Sequence, residues 1–500
     1  MSFEKTIGSQ SLPTKRTSAF RGSLSSNWLC WLFAYFAACF VVALCSFNFV
    51  LLYSSHLCGK SSLALVACFA LAVGLLFLCL LKSWKGSPER VFLLVAFPAG
   101  LLFALFLIPG QVPDEYVHIY RACDLKLTGA GTTVPAILAN MPTNYSDYRE
   151  MLFSAANWAD TVSDSRDLTN YYIHLYLLPN LAIRLCCLLG ANPYFAVIVG
   201  KLINGAVFCI LGYWIVKKVP LGKVLGCIYL LNPMLIQQEF SLSADAMVNA
   251  ISLSFVAYIL YLKFAESISK KNIAWLVLLL VLTCVSKFAY APLALLLLLL
   301  VPRLGSKRVR RAIYFGSVGI VALGVVLVIA FYQGTTYALA FELVRDPKEF
   351  LFVMFNSTVE LGPLWIKEFS GMVLGSLNIT VWEPCFWAYG LMLLFAAVFN
   401  LGESESLVRW EKVFVVVLTA FVSVAILLVF REWTITVDQR SDVIMGMQGR
   451  YLLPFYILPL LALVTPRASQ VRANCMVLYG CSLAIVYLAD ACCIVSRFMF

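Results

Sequence analysis

Long apolar runs separated by short polar breaks dominate the chain. They lie near residues 28–53, 63–81, 91–108, 195–216, 222–237, 246–263, 273–301, 312–331, 385–400, 411–430 and 476–495, and another begins at Tyr451. Several exceed the roughly 20 apolar residues a helix needs to span a bilayer. The pattern predicts an all-α polytopic membrane protein with about 12–14 transmembrane helices, its outer loops carrying amphipathic helices. Two runs read differently. The stretch 171–190, with its tyrosines, His174 and Arg184, fits an interfacial position better than a full crossing. The run 273–301 is interrupted at Ser286-Lys287-Phe288-Ala289-Tyr290-Ala291-Pro292. Proline disfavours a continuous helix, and broken helices occur where backbone lines a polar cavity. The expectation there is a short hairpin with Lys287 near the outer face.

Composition agrees with this class. Hydrophobic residues make up 62%, charged residues 13%, and the mean hydropathy is +0.88, whereas a soluble chain carries about twice that charged share. The net charge of +11 does not point to nucleic acid. Its basic residues sit in short loops, such as Lys217-Lys218 and the group Lys307, Arg308, Arg310 and Arg311, as expected beside anionic headgroups. The 17 cysteines contain no C-x-x-C pair, so a disulfide framework or zinc site has no support. A Cys123–Cys385 bridge between outer loops is the one pairing considered.

The positive-inside rule orients the chain. Lys5, Lys15, Arg16 and Arg21 place the N-terminus in the cytoplasm, and the run from Trp28 to Tyr53 is too long for a signal-peptide core. Lys82, Lys85 and Arg90 return inside, so Pro109 onward lies outside. The organisation expected is a cytoplasmic tail over 1–27, N-terminal transmembrane helices over 28–108, and a first large outer loop over 109–194. Central transmembrane helices over 195–331 follow, then a second outer region over 332–383. C-terminal helices over 384–500 enclose a third outer loop at 431–449 with Arg431, Glu432, Asp438, Arg440 and Asp442.

Charge at membrane depth is costly and marks candidate sites. The segment Pro113-Asp114-Glu115-Tyr116-Val117-His118-Ile119-Tyr120-Arg121-Ala122 follows directly on a span. Asp114, His118 and Arg121 share one face if a helix starts after Pro113. The acids can be helix caps, or a general base and its helper. Four further features fall at outer span ends. These are Ser243-Ala244-Asp245 with Asn249, Lys287, Gly375-Ser376-Leu377-Asn378, and Gln448-Gly449-Arg450-Tyr451. Asp245 suits a helix cap as well as a site. Lys287 and Arg450 suit an anion, and a guanidinium pairs with phosphate in bidentate fashion. Histidine spacing matches no metal motif, and a divalent cation on Asp114 and Glu115 is left open.

These stretches, in this order, resemble the bacterial membrane-protein family of domain of unknown function 2142, which is similar to the lipid-dependent glycosyltransferases of the C superfamily. Val112-Pro113-Asp114-Glu115 with His118 and Arg121-Ala122 comes first, then Ser243-Ala244-Asp245 with Asn249. Lys287 with Tyr290 and Pro292 is third, and Gln448-Gly449-Arg450-Tyr451-Leu452-Leu453-Pro454 is last. The chain departs from the family pattern at Asn170-Tyr171-Tyr172-Ile173-His174, where a histidine-proline-proline motif is usual. It departs again at Asn378, where an aspartate is usual. The resemblance implies sugar transfer from a polyprenyl-phosphate donor to a glycan or glycolipid acceptor, outside a bacterial plasma membrane and among membrane lipids. Asp114 would be the base and Glu115 second to it. His118, Arg121, Asp245, Asn249, Asn378, Gln448 and Tyr451 would help to bind substrate, while Lys287 and Arg450 met the donor phosphate. Two rival readings are a lipid-linked glycan flippase, which predicts an internal repeat or charge on both faces, and a non-catalytic partner in polysaccharide assembly.

Overall fold

Pro88–Phe106 is the helix around which the others gather. Its Pro88 occupies the first turn, where a missing N–H costs nothing, and 83% of its apolar window is buried. Ser26–Tyr53, Pro193–Lys218, Lys223–Leu230, Pro233–Glu239 and Arg472–Arg497 all pack on it. Ala244–Phe264 is buried to the same extent and packs against Pro193–Lys218 and Lys270–Ser286. Lys307–Val326 and Arg409–Val437 are only 11% and 33% buried. They present Phe315, Val326, Val413 and Val417 outward, so the bundle is apolar inside and out. That is the surface of a protein solvated by lipid. This computed structural model describes residues 26–53, 87–124, 132–163, 172–303, 306–331, 345–399, 405–438, 441–465 and 472–499.

The architecture is all-α and polytopic. Six helices among the described residues are long and apolar enough to cross a membrane, and shorter apolar helices accompany them. Strand is confined to two small antiparallel pairs. Thr133–Pro135 pairs with Thr161–Ser163, and Val373–Leu374 with Ile379–Thr380. The expected span at 63–81, most of the tail, and Arg440 lie outside the described residues.

The structure revises several boundaries. The stretch 171–190 becomes a 3-10 turn at Ile173–Leu175 and a helix at Leu177–Leu188. Twelve residues reach only about 18 Å, too short to cross. The expected span at 222–237 is two helices, Lys223–Leu230 and Pro233–Glu239. Pro233 breaks the run, and Asn232 caps the second helix by accepting the Leu235 N–H at 3.1 Å. The break expected at Lys287 occurs there, but its second arm is longer than a short hairpin. Phe288–Arg303 is a 16-residue 3-10 helix, about 32 Å long at its usual rise. Arg431 and Glu432, read as loop residues, belong to the helix Arg409–Val437 and are buried. Cys123 and Cys385 are free thiols, so the bridge considered between them is absent.

Candidate functional site

Four charged side chains from distant parts of the chain meet at one end of the bundle. Asp114 stands at the N-cap of Glu115–Cys123, but its side chain makes no capping bond. Its backbone is left-handed, with φ 62°, a conformation that costs a non-glycine residue of order 1–3 kcal/mol. The carboxylate, 54% exposed, lies 2.7 Å from Arg450 Nη2. Asp245, in the first turn of Ala244–Phe264, lies 3.0 Å from Arg450 Nη1 and 3.8 Å from Lys287 Nζ. The cap of that helix is Ser243, whose Oγ accepts the Asp245 N–H at 3.2 Å. Asp245 is thereby released from capping and faces the cations.

The two cations differ in what they have left to offer. Arg450 donates from Nε to Gln448 Oε1 at 2.6 Å and from Nη1 to the Pro113 carbonyl at 3.2 Å. From Nη2 it donates to Asp114 at 2.7 Å and to the Tyr451 hydroxyl at 3.0 Å. A guanidinium has five N–H donors; four are bonded and Asp245 stands beside the fifth. Lys287 is in extended backbone between Lys270–Ser286 and the 3-10 helix. Its ammonium sits 3.8 Å from the centre of the Tyr451 ring, a cation–π contact, and beyond hydrogen-bond reach of Asp245. Arg450 therefore holds the carboxylates in place, while the Lys287 ammonium makes no hydrogen bond among the described residues.

Gly449 allows Arg450 to be here. A Cβ at Gly449 would stand 1.9 Å from the Trp365 carbonyl, so only glycine lets this turn lie on the helix Pro347–Ser370. The Gly449 N–H donates to Glu368 Oε2 at 2.6 Å, and burial raises the Glu368 carboxyl above the ordinary range. Tyr451 is fixed from two sides. Its ring stacks on Phe430 at 5.0 Å, and its carbonyl accepts the Tyr290 hydroxyl at 2.9 Å.

Glu115 does not share this space, which corrects its reading as second base or metal ligand. The side chain is fully enclosed and lies 3.3 Å from Lys201 Nζ. Its carboxylate also accepts the Gly110 and Leu242 N–H groups at 2.9 and 3.1 Å. Lys201 donates in turn to the Leu107 carbonyl at 3.2 Å. Both Glu115 oxygens are thus committed inward, so Asp114 and Glu115 do not fit a shared cation. The described residues contain no group of three or more histidine, cysteine or acidic side chains able to hold a metal.

The other expected residues divide. His118 is buried with Nδ1 2.6 Å from the Tyr176 hydroxyl. Burial pulls its imidazole down to about 4, with Asp245 opposing and Arg450 assisting. Arg121 pairs with Asp124 at 3.2 Å and lies 6.0 Å from the Tyr176 ring. The shared helix face exists, but His118 and Arg121 turn it toward Tyr176 and the helix end. Asn249 is buried one turn beyond Asp245, and its Nδ2 makes no hydrogen bond among the described residues. Asn378 is not brought to the cluster. It lies exposed in the turn joining the two short strands 373–374 and 379–380, which Gln237 ties down through the Gly375 N–H and carbonyl.

The family described as "Predicted membrane protein (DUF2142)" matches residues 97–459, more than half of the chain. The chain belongs to the DUF2142 family. Asp114, Asp245, Lys287 and Arg450 of this DUF2142 protein all fall inside the match, and the helix Ser26–Tyr53 precedes it. No curated protein and no solved structure matches the chain.

Lys201, Tyr176 and Glu368 of this DUF2142 protein support the site from outside the sequence motifs, through Glu115, His118 and Gly449. A signal for Lys201 was present: it is a lone cation inside the apolar helix Pro193–Lys218, where charge asks for a partner. His174, expected at the interface, lies with its Nε2 3.0 Å from Ser286 Oγ, beside Lys287. His118 yields a pH prediction. Its folded pKa of about 4 lies below the ordinary histidine value near 6.5, so the unfolded chain binds the proton more readily. Stability contributed by neutral His118 is present above about pH 6.5 and is lost as pH falls toward 4. Thermal unfolding of His118→Gln across that window is expected to show a shallower slope than wild type.

Proposed function

We propose that this protein is an integral membrane glycosyltransferase. It moves a sugar from a polyprenyl-phosphate donor to a cell-surface glycan or lipid-linked acceptor, on the extracytoplasmic face of a bacterial plasma membrane. The observation that carries this reading is an exposed carboxylate, Asp114, held 2.7 Å from Arg450 in the same cluster as Lys287, whose ammonium has donors to spare. An apolar cavity of about 270 Å³ opens from the residue after Lys287, with Phe288, Pro292, Gly324, Phe421 and Val429 among its lining residues. A phosphate at Lys287 could send its prenyl chain into that cavity. Membrane lipids would border the remaining apolar surface.

The chemistry follows from the placement. Asp114 takes the proton of an acceptor hydroxyl, and that oxygen attacks the anomeric carbon as the bond to the phosphate oxygen breaks. The lipid phosphate leaves with the electron pair, and Lys287 neutralises it. Attack opposite the leaving group inverts the anomeric centre. The test is transfer in liposomes supplied with polyprenyl-phosphate sugars and acceptor fractions. Asp114→Asn is expected to lower the rate by about 10²–10⁴-fold. Full activity in that variant rejects Asp114 as base. Glycan crossing the membrane with no donor consumed rejects transfer in favour of transport.

A further inference from the structure

We infer that Asp245 is a charge filter, a built-in counter-ion that restricts the ligand headgroup to one negative charge, a phosphodiester rather than a diphosphate. The inference rests on the proposed function only in taking the headgroup to be a phosphate.

The argument begins with the charges that touch. Two cations, Lys287 and Arg450, face two carboxylates, Asp114 and Asp245; Arg450 lies within 3.0 Å of both acids, and the Lys287 ammonium, 3.8 Å from Asp245, is the loosely matched charge. Neighbouring ions are matched among themselves: Glu115 with Lys201 and Arg121 with Asp124. Glu368 is turned to the Gly449 N–H, and Glu239, enclosed nearby, has an Oε1 without a hydrogen-bond partner among the described residues. Donors are as limited as charge. Arg450 is surrounded by its own partners, leaving the Lys287 ammonium to meet an anion. One ammonium answers one negative charge. A diphosphate would press a second and third against the two carboxylates, at a cost of about tenfold or more in affinity for each uncompensated charge.

Asp245 is the stronger gate of the two acids. Its side chain is 15% exposed, against 54% for Asp114, so solvent screens it less. It also cannot retreat easily. The preceding turn is wedged by the Phe240 ring, which occupies the space that a Cβ on Gly100 or Gly205 would take, at 2.0 and 2.2 Å. The Leu242 N–H is held by Glu115. The counter-ion is therefore part of the rigid core, while the ligand must adapt to it.

The test compares affinities of the full-length protein in detergent. The probes are farnesyl methyl phosphate, farnesyl diphosphate, and the soluble headgroups dimethyl phosphate and inorganic diphosphate. Wild type is expected to favour each diester over its diphosphate counterpart by about tenfold or more. Asp245→Asn should raise diphosphate affinity by at least that factor and remove the preference. Asp114→Asn should shift the ratio less, and Asp245→Glu, which keeps the charge, should preserve it. Lys287→Met should weaken every probe. Thermal unfolding of each variant identifies any that fail to fold, and the wild-type ratio with Asp245→Glu still decides the matter. A wild-type preference for diphosphate, an unchanged ratio in folded Asp245→Asn, or no binding of any probe overturns the inference. If headgroups show the ratio and the prenyl tail adds no affinity, the filter stands and the lipid-donor reading falls. If prenyl probes bind without charge preference, the filter falls alone.

Discussion

Lys201→Met is expected to destabilise the protein by about 3–5 kcal/mol, because it strands the Glu115 carboxylate in a fully enclosed position. The pair is 3.3 Å apart with both side chains at 0% exposure, so water cannot replace the missing ammonium. Two separate segments end on this pair: the turn that follows Pro88–Phe106, through the Leu107 carbonyl and the Gly110 N–H, and the turn at Leu242. Those turns carry Asp114 and Asp245. Loss of Lys201 should therefore loosen the candidate site as well as the bundle. Thermal unfolding in detergent measures the effect. The control is the double substitution Lys201→Met with Glu115→Gln, which removes both charges and should recover most of the loss, since a neutral pair leaves no buried charge unmatched. If Glu115→Gln alone kept full stability and lost only turnover, Glu115 would belong to the chemistry after all.

Arg450→Lys is expected to reduce transfer by about 10²-fold, the scale set by misplacing a catalytic group by roughly 1 Å. Lysine keeps the charge but lacks the planar fork that reaches Gln448, Pro113, Asp114 and Tyr451 together. Asp114 occupies a strained backbone conformation, and without the fork its carboxylate loses its orientation. The loss should fall mainly on kcat, because Lys287 remains to meet the donor phosphate. A variant with unchanged kcat and a raised KM for the donor would instead make Arg450 a direct phosphate ligand.

How far the sequence could be read differs between elements. The apolar periodicity located the helices at 88–106, 193–218 and 244–264 to within a few residues, and the start but not the end of 409–437, because a helix in a membrane must satisfy its backbone internally and remain apolar along its length. The break at Lys287 was legible for the same reason: a lysine and a proline interrupt an otherwise apolar run. The split at Asn232-Pro233 carried the same signal but lay inside a run short enough to pass for one span. The 3-10 form of Phe288–Arg303 had no local signature, since its leucines suit an α-helix equally well.

Residue types by themselves determined that this is a membrane-embedded helical protein and that charged groups near Asp114, Asp245, Lys287 and Arg450 needed a reason to be there. Only the tertiary structure decided their division of labour. Asp114 and Glu115 are adjacent in sequence, yet a left-handed backbone at the first sends one carboxylate toward Arg450 and the other into the core against Lys201. Arg450 reaches Asp114 across a sequence separation of 336. No local pattern encodes that distance, because which cation neutralises which carboxylate depends on how the helices pack and on how much water each pair retains.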